Sequence, residues 1–179
     1  MSEAKLYQKS RTLTIEDYRL MMAEADRIKA KSVLEFGPGY STFAWIEAGC
    51  DPIVCLEHDK GWHEVSIERF KQYPQVQIRK YWNEPEARGE LEPDEMFDLA
   101  LVDSPKGYEA ARVIHPGQED CSRYNTLELA LKHSKTVLLH DASRPLERGS
   151  LCKIQAQGHK VTHIPGSSYG LARIERNGC

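Results

Sequence analysis

The sequence predicts an α/β domain with a mostly parallel, seven-stranded sheet and an antiparallel C-terminal hairpin strand. Three observations predict it. Short runs of Val, Ile and Leu alternate with helical patterns along the chain, as in linked βαβ units. The first apolar run ends in Gly37-Pro38-Gly39, a turn of the kind that joins a strand to the helix after it. The last two runs, 160–164 and 170–174, flank Pro165-Gly166-Ser167-Ser168, a hairpin-like connection that adds an antiparallel edge. A length of 179 residues suits one domain, read as 1–179 with 1–13 flexible.

The elements follow in order. Thr14-Ile15-Glu16-Asp17 reads as an N-cap with first-turn acids, and Tyr18, Met22, Ala25 and Ile28 recur at helical spacing to about Lys29. Ser32–Phe36 is a strand, 41–48 a helix closed by Gly49, and Ile53–Glu57 a second buried strand. A helix over 61–72 leads to an alternating third strand over 76–81. Residues 83–96 are acidic, proline-bearing and aperiodic, a surface loop. Phe97–Val102 is the fourth strand, and a loop rich in Gly and Pro precedes a helix that begins near Glu119. Thr136–Leu139 is the fifth strand, and 145–157 is helix-compatible before the closing hairpin.

Composition narrows the function. With 24 basic and 27 acidic residues and a net charge of -3, no nucleic-acid partner is expected. No apolar run approaches the ~20 residues of a membrane span, and the polar start lacks the apolar centre of a signal peptide. The five cysteines are scattered, with no C-x-x-C spacing. They read as reduced thiols of a cytoplasmic protein.

Chemistry concentrates at the predicted strand ends. Gly37 and Gly39 permit a tight turn and close approach of backbone to a ligand. A dinucleotide fingerprint would place a third glycine where Thr42 stands, and no Gly-Lys-Ser/Thr follows for a P-loop. What remains is Glu-x-Gly-x-Gly-x-Ser, from Glu35 to Ser41. The second strand ends in Leu56-Glu57-His58-Asp59, where a carboxylate can accept both hydroxyls of a ribose. The fourth delivers Val102-Asp103-Ser104-Pro105-Lys106-Gly107-Tyr108, and the fifth Leu139-His140-Asp141-Ala142-Ser143-Arg144. Adjacent strands put Asp103, His140 and Asp141 together, three donors suited to a divalent metal. His140 titrates near neutrality, so it also suits a general base.

The Glu35–Ser41 pattern resembles motif I of the class I S-adenosylmethionine-dependent methyltransferases, whose Rossmann-like fold it implies. In that resemblance Glu35 serves the cofactor's amino end, and Gly37 and Gly39, with Ser41 and Thr42, lie against its methionine part. Glu57, with His58 beside it, takes the ribose, Tyr81 and Trp82 stand at the adenine, and Asp103 faces the methyl group. Asp103-x-x-Lys106 and Asp141 are similar to the catechol-type, metal-dependent O-methyltransferases, with Ala142 in place of their asparagine. That likeness implies Lys106 as the base, its pKa lowered by burial or by a metal on Asp103, Asp141 and His140.

From Val33 to Pro165 the chain also resembles the plant cell-wall polysaccharide O-methyltransferases, which methylate O-4 of glucuronic acid. The likeness rests on Leu56-Glu57-x-Asp59, the Val102-to-Tyr108 loop, His140-Asp141-x-x-Arg144-x-x-Glu147, Leu151-Cys152 and Ile164-Pro165. It implies a hydroxyl-bearing acceptor, a glycan or a small metabolite, approached by Tyr108. A uronic acid would want a cation, for which Arg112, Arg123 and Arg144 are placed; the planar guanidinium suits a carboxylate. The plant proteins carry a membrane anchor, and none is read in this chain. Acceptor recognition then falls to short loops or to a second subunit of a homo-oligomer. Two alternatives stay open. Asp103-Ser104-Pro105 is loosely similar to the Asp/Asn-Pro-Pro-aromatic motif of amino methyltransferases, though Lys106 replaces the aromatic. A non-catalytic cofactor-binding protein is the other, but it needs no Asp103, Lys106 and His140-Asp141 together.

Overall fold

The computed structural model describes residues 13–81, 90–104 and 123–177. Helix α1 (Ile15–Ile28) begins where the sequence caps it: Thr14 Oγ1 accepts from Asp17 N at 3.1 Å. Then follow β1 (Val33–Phe36), α2 (Ser41–Glu47), β2 (Ile53–Glu57), α3 (Lys60–Phe70) and β3 (Val76–Lys80). The second half holds β4 (Phe97–Val102), α4 (Tyr124–His133), β5 (Ser134–His140), α5 (Pro145–Ala156), β6 (Lys160–Ile164) and β7 (Leu171–Glu175). The expected start of the fourth helix near Glu119 lies outside the described residues, as does the expected flexible terminus at 1–13 except for Leu13, which is buried.

All seven strands form one sheet in the order β3-β2-β1-β4-β5-β7-β6. β1, β2 and β4 are buried at all or nearly all positions because helices cover both faces, so their sequences are continuously apolar rather than alternating. Alternate side chains enter separate cores. Val33, Ile53, Cys55, Leu99 and Leu101 join Tyr18, Met21 and Trp45 on the side of α1 and α2. Leu34, Phe36, Val54, Leu56, Ala100 and Val102 meet Leu127, Leu151 and Ile154 of α4 and α5 on the other.

One expectation changes. The closing hairpin does not simply add an antiparallel edge: β7 inserts between β5 and β6, antiparallel to both, and β6 takes the edge. Burial explains the choice. β7 presents Leu171, Ala172 and Ile174 to the cores, whereas Lys160 and His163 on β6 are exposed, as suits an edge strand.

The chain reverses its direction of winding between β1 and β4, which are neighbours in the sheet. In open α/β sheets such a switch point opens a crevice beyond the carboxyl ends of the strands. Gly37, Glu57, Asp103 and His140–Asp141 all sit at that edge, after β1, at the end of β2, after β4 and at the end of β5.

Candidate active site

The turn after β1 is locked from below. Gly37 has φ +89°, and a Cβ there would stand 2.8 Å from Ser104 Cβ, so the position demands glycine twice over. Gly37 N donates to Leu56 O and Asp103 N to Phe36 O, both at 3.0 Å, tying the three strand ends together. At Gly39 a Cβ would meet nothing within 4 Å among the described residues. Backbone there faces open space that a ligand can enter.

Glu35 is fully buried. Its carboxylate accepts from Ser41 Oγ, from Thr42 Oγ1 at 2.7 Å and from Cys55 Sγ at 3.6 Å. Burial pushes its pKa up to about 7 against those three hydrogen bonds. Ser41 and Thr42 are themselves buried, and Thr42 Oγ1 accepts from Gly39 N at 3.1 Å. In this fold Glu35, Ser41 and Thr42 brace the glycine turn from within.

At the end of β2, Glu57 Oε1 accepts from Asp59 N at 2.9 Å and lies 3.2 Å from His58 Nδ1. Both described partners use the same oxygen, which leaves Oε2 for a further donor among the described residues. His58 Nδ1 also lies 2.8 Å from Ser104 Oγ. Tyr81 does not line open space. It is 1% exposed, packs edge-on to Phe36 with ring centroids 6.0 Å apart, and its hydroxyl lies 3.5 Å from Ser104 Oγ. Burial raises its pKa. Trp82, Lys106 and Tyr108 lie outside the described residues.

The opposite wall is a charge cluster. His140 Nδ1 stands 3.1 Å from Asp103 Oδ1 and 3.9 Å from Asp141 Oδ2. Its Nε2 lies 3.6 Å from Asp17 Oδ2 and makes no hydrogen bond among the described residues. Burial works against charge on this ring, yet the contacts with Asp103 and Asp17 outweigh it and lift its pKa to about 9. The upward shift favours the protonated ring, which argues against the general-base role suggested by its ordinary pKa. Asp17, fully buried, also accepts from Ser167 Oγ. Burial opposes its charge, but the adjacent His140 ring and hydrogen bonds from Ser167 and Thr14 hold its pKa well below the usual carboxylate range.

Arg123 is fully buried, so it is not the exposed cation expected to meet an acceptor. Its Nη1 donates to His140 O at 2.8 Å and Nη2 to Asp103 O at 3.2 Å. The same Nη2 lies 3.5 Å from Asp103 Oδ1 and 3.4 Å from Asp141 Oδ2, and Nε 3.7 Å from Glu147 Oε1. Arg144 differs: its side chain is 49% exposed while Nη1 holds Asp141 Oδ2 at 2.9 Å.

The hairpin before β7 clamps this wall. Ala142 N donates to Gly170 O at 2.9 Å and Ser143 N to Tyr169 O at 3.2 Å. Asp141 sits at φ +60°, a left-handed conformation that Asp tolerates better than most residues. Tyr169, 44% exposed, stands edge-on to His140 with ring centroids 6.4 Å apart.

Asp103, His140 and Asp141 offer ligand atoms within 4.8 Å of one another, but the set does not fit a divalent ion. His140 Nδ1 already contacts Asp103 Oδ1 at 3.1 Å, so a metal would have to displace that contact. Arg123 already lies against both carboxylates. Ala142 has its side chain in the core. Sequence reasoning missed Asp17 and Tyr169 as members of this wall, and carried Glu147 only as part of the string that begins at His140. A first-turn acid reads as a helix-dipole partner, and no local spacing ties residue 17 or 169 to residue 140.

No family model matches the sequence, and no curated protein matches it either. Solved structures are similar in fold. A caffeoyl-CoA O-methyltransferase, so assigned, from Staphylococcus aureus superposes with TM-score 0.74 at 14% identity, over 99% of this chain and 93% of its own. The O-methyltransferase TomG of tomaymycin synthesis from Streptomyces achromogenes, in complex with S-adenosylmethionine, gives 0.70 at 16% identity, over 99% and 91%. The S-adenosylhomocysteine-bound methyltransferase PaMTH1 from Podospora anserina gives 0.66 at 21% identity, over 98% and 86%. The chain therefore has the Rossmann-like α/β fold of S-adenosylmethionine-dependent methyltransferases, with a mostly parallel seven-stranded sheet.

Proposed function

We propose that this chain is an S-adenosylmethionine-dependent O-methyltransferase acting on a hydroxyl-bearing acceptor. The observation that carries the reading is the convergence at one switch point of the Gly37–Gly39 turn, the Glu57 carboxylate and the Asp103 cluster. Bound S-adenosylmethionine supplies a methyl group made electrophilic by its sulfonium. Glu57 would hold the ribose hydroxyls, and the Gly39 backbone would allow close approach of the methionine part. Glu35, with Ser41 and Thr42, keeps that turn in shape from beneath rather than contacting the cofactor. Asp103, whose side chain is 18% exposed, accepts the hydrogen bond of the acceptor hydroxyl, and the proton leaves through its carboxylate to solvent. His140 and Arg123 hold that carboxylate in place. No step passes through a metal.

The acceptor side favours a sugar acid. The half-exposed Arg144 guanidinium presents a planar fork to a carboxylate, and Tyr169 offers an aromatic face beside it. Calorimetry with S-adenosylhomocysteine tests the cofactor half. Removing hydrogen bonds to a charged acceptor costs about 1.5–3 kcal/mol, so Glu57→Ala is expected to weaken binding roughly ten- to hundredfold. Unchanged affinity would remove the reading. Transfer of labelled methyl to uronic acid oligosaccharides, with neutral sugars and catechols beside them, tests the acceptor half. Preference for a catechol or neutral sugar sinks the sugar acid and leaves O-methylation standing.

A further inference from the structure

We infer that Arg123 is the resident cation of this site, holding between Asp103 and Asp141 the place that a divalent ion would otherwise take. Its Nη2 lies 3.5 Å from Asp103 Oδ1 and 3.4 Å from Asp141 Oδ2. The side chain is fully buried, and two backbone carbonyls and Glu147 pin the rest of its fork. Contacts to β5, to the residue after β4 and to α5 leave the guanidinium no easy rotation away. A dication needs carboxylate oxygens at about 2.0–2.6 Å, which would place it against a buried like charge, where repulsion is strong. Taking Arg123 away would remove a buried cation shared by Asp103 and Asp141 and open space between them that another cation could fill. The contact from His140 Nδ1 to Asp103 is a further one that a metal would have to displace. Arg123 is thus a positioning residue. It fixes the angle of Asp103 toward the crevice, and the site needs no added metal to do so.

Titration with Mn2+, followed by electron paramagnetic resonance on the full chain, tests this independently of catalysis. Wild type is expected to show no saturable uptake at millimolar ion, and its affinity for S-adenosylhomocysteine is expected to survive dialysis against a chelator. Arg123→Met, once shown by circular dichroism to be folded, is expected to take up one Mn2+ and to release it when Asp141→Asn is added. One saturable Mn2+ in wild type, removed by Asp141→Asn alone, overturns the inference; so does a folded Arg123→Met that takes up none. If Arg123→Met does not fold, the wild-type titration decides by itself. The inference rests on the methyltransferase reading only in its chelator arm. A chain that binds no S-adenosylhomocysteine at all would remove that reading and leave the Mn2+ result intact.

Discussion

His140 and Asp103 meet across two neighbouring strand ends, Nδ1 to Oδ1 at 3.1 Å, and that contact favours the protonated form of a buried imidazole. Asp17 supports it from the other side of the ring at 3.6 Å. The result is a row of alternating charges, Asp17, His140, Asp103 and Arg123, running from the first helix to the crevice. Such a row orients Asp103 more firmly than any one contact would, and it makes stability depend on pH.

The sign of that dependence is fixed by the direction of the shift. The folded pKa of His140, about 9, lies above its ordinary 6.5, so the native state binds the extra proton between those values. Its contribution is complete below pH 6.5 and is lost as pH rises through 9. The loss is on the order of 3 kcal/mol. Urea unfolding of wild type and His140→Gln from pH 6 to 10 should converge toward alkaline pH. Parallel curves would show that the ring is neutral in the fold.

Much of this wall was legible in the sequence only as a set of positions. Strand ends carrying Asp103 and His140–Asp141 were readable because β1, β2, β4 and β5 are continuous apolar runs bounded by turn residues. Their neighbours in space were not. Arg123 reads as one more loop cation until burial shows it packed against three carboxylates. Glu35 reads as a ligand contact, since spacing cannot distinguish a carboxylate aimed at the crevice from one tied to Ser41 and Thr42. The place of β7 inside the sheet is a pairing choice made by distant strands, which periodicity does not record.

Glu35 sets a second pH dependence. Burial lifts its pKa from 4.5 to about 7, so the folded chain binds more protons than the unfolded one between those values. Stability falls as pH rises through that window and stays lowered above it. Glu35→Gln carries no charge to bury and should therefore exceed wild type in stability at pH 8 by about 3 kcal/mol, with the gap closing toward pH 5. Thermal melts at the two pH values measure it, and a variant weaker than wild type at pH 8 would contradict the account.

Acceptor contacts should separate from cofactor contacts. Arg144 and Tyr169 are about half exposed at the mouth, whereas the glycine turn and Glu57 lie across the crevice. Tyr169→Ala removes an aromatic contact of roughly 1 kcal/mol and should raise the acceptor KM about fivefold. Arg144→Ala should raise it more for acidic than for neutral acceptors. Neither should alter the Kd for S-adenosylhomocysteine. Equal changes in KM for charged and neutral acceptors would assign Arg144 to holding Asp141 alone.

The hairpin is expected to control the site from outside it. Gly170 has φ +84°, and a Cβ there would fall 2.2 Å from Ser143 Oγ and 2.5 Å from Ser143 N. The second atom is backbone, so no rotamer change relieves the overlap. Gly170→Ala must therefore push the 141–143 segment away and break the bonds from Ala142 N to Gly170 O and from Ser143 N to Tyr169 O. Backbone strain of this kind costs about 1–3 kcal/mol, visible in a thermal melt. Asp141 is held in its left-handed conformation by this clamp, so its contacts with Arg123 and Arg144 should loosen with it. Methyl transfer should then fall further than cofactor affinity, because the turn after β1 is braced separately by Glu35, Ser41 and Thr42. Ser143→Gly in the same chain removes the side-chain part of the overlap and should restore stability in part. Full activity in Gly170→Ala would mean that the hairpin only covers the sheet.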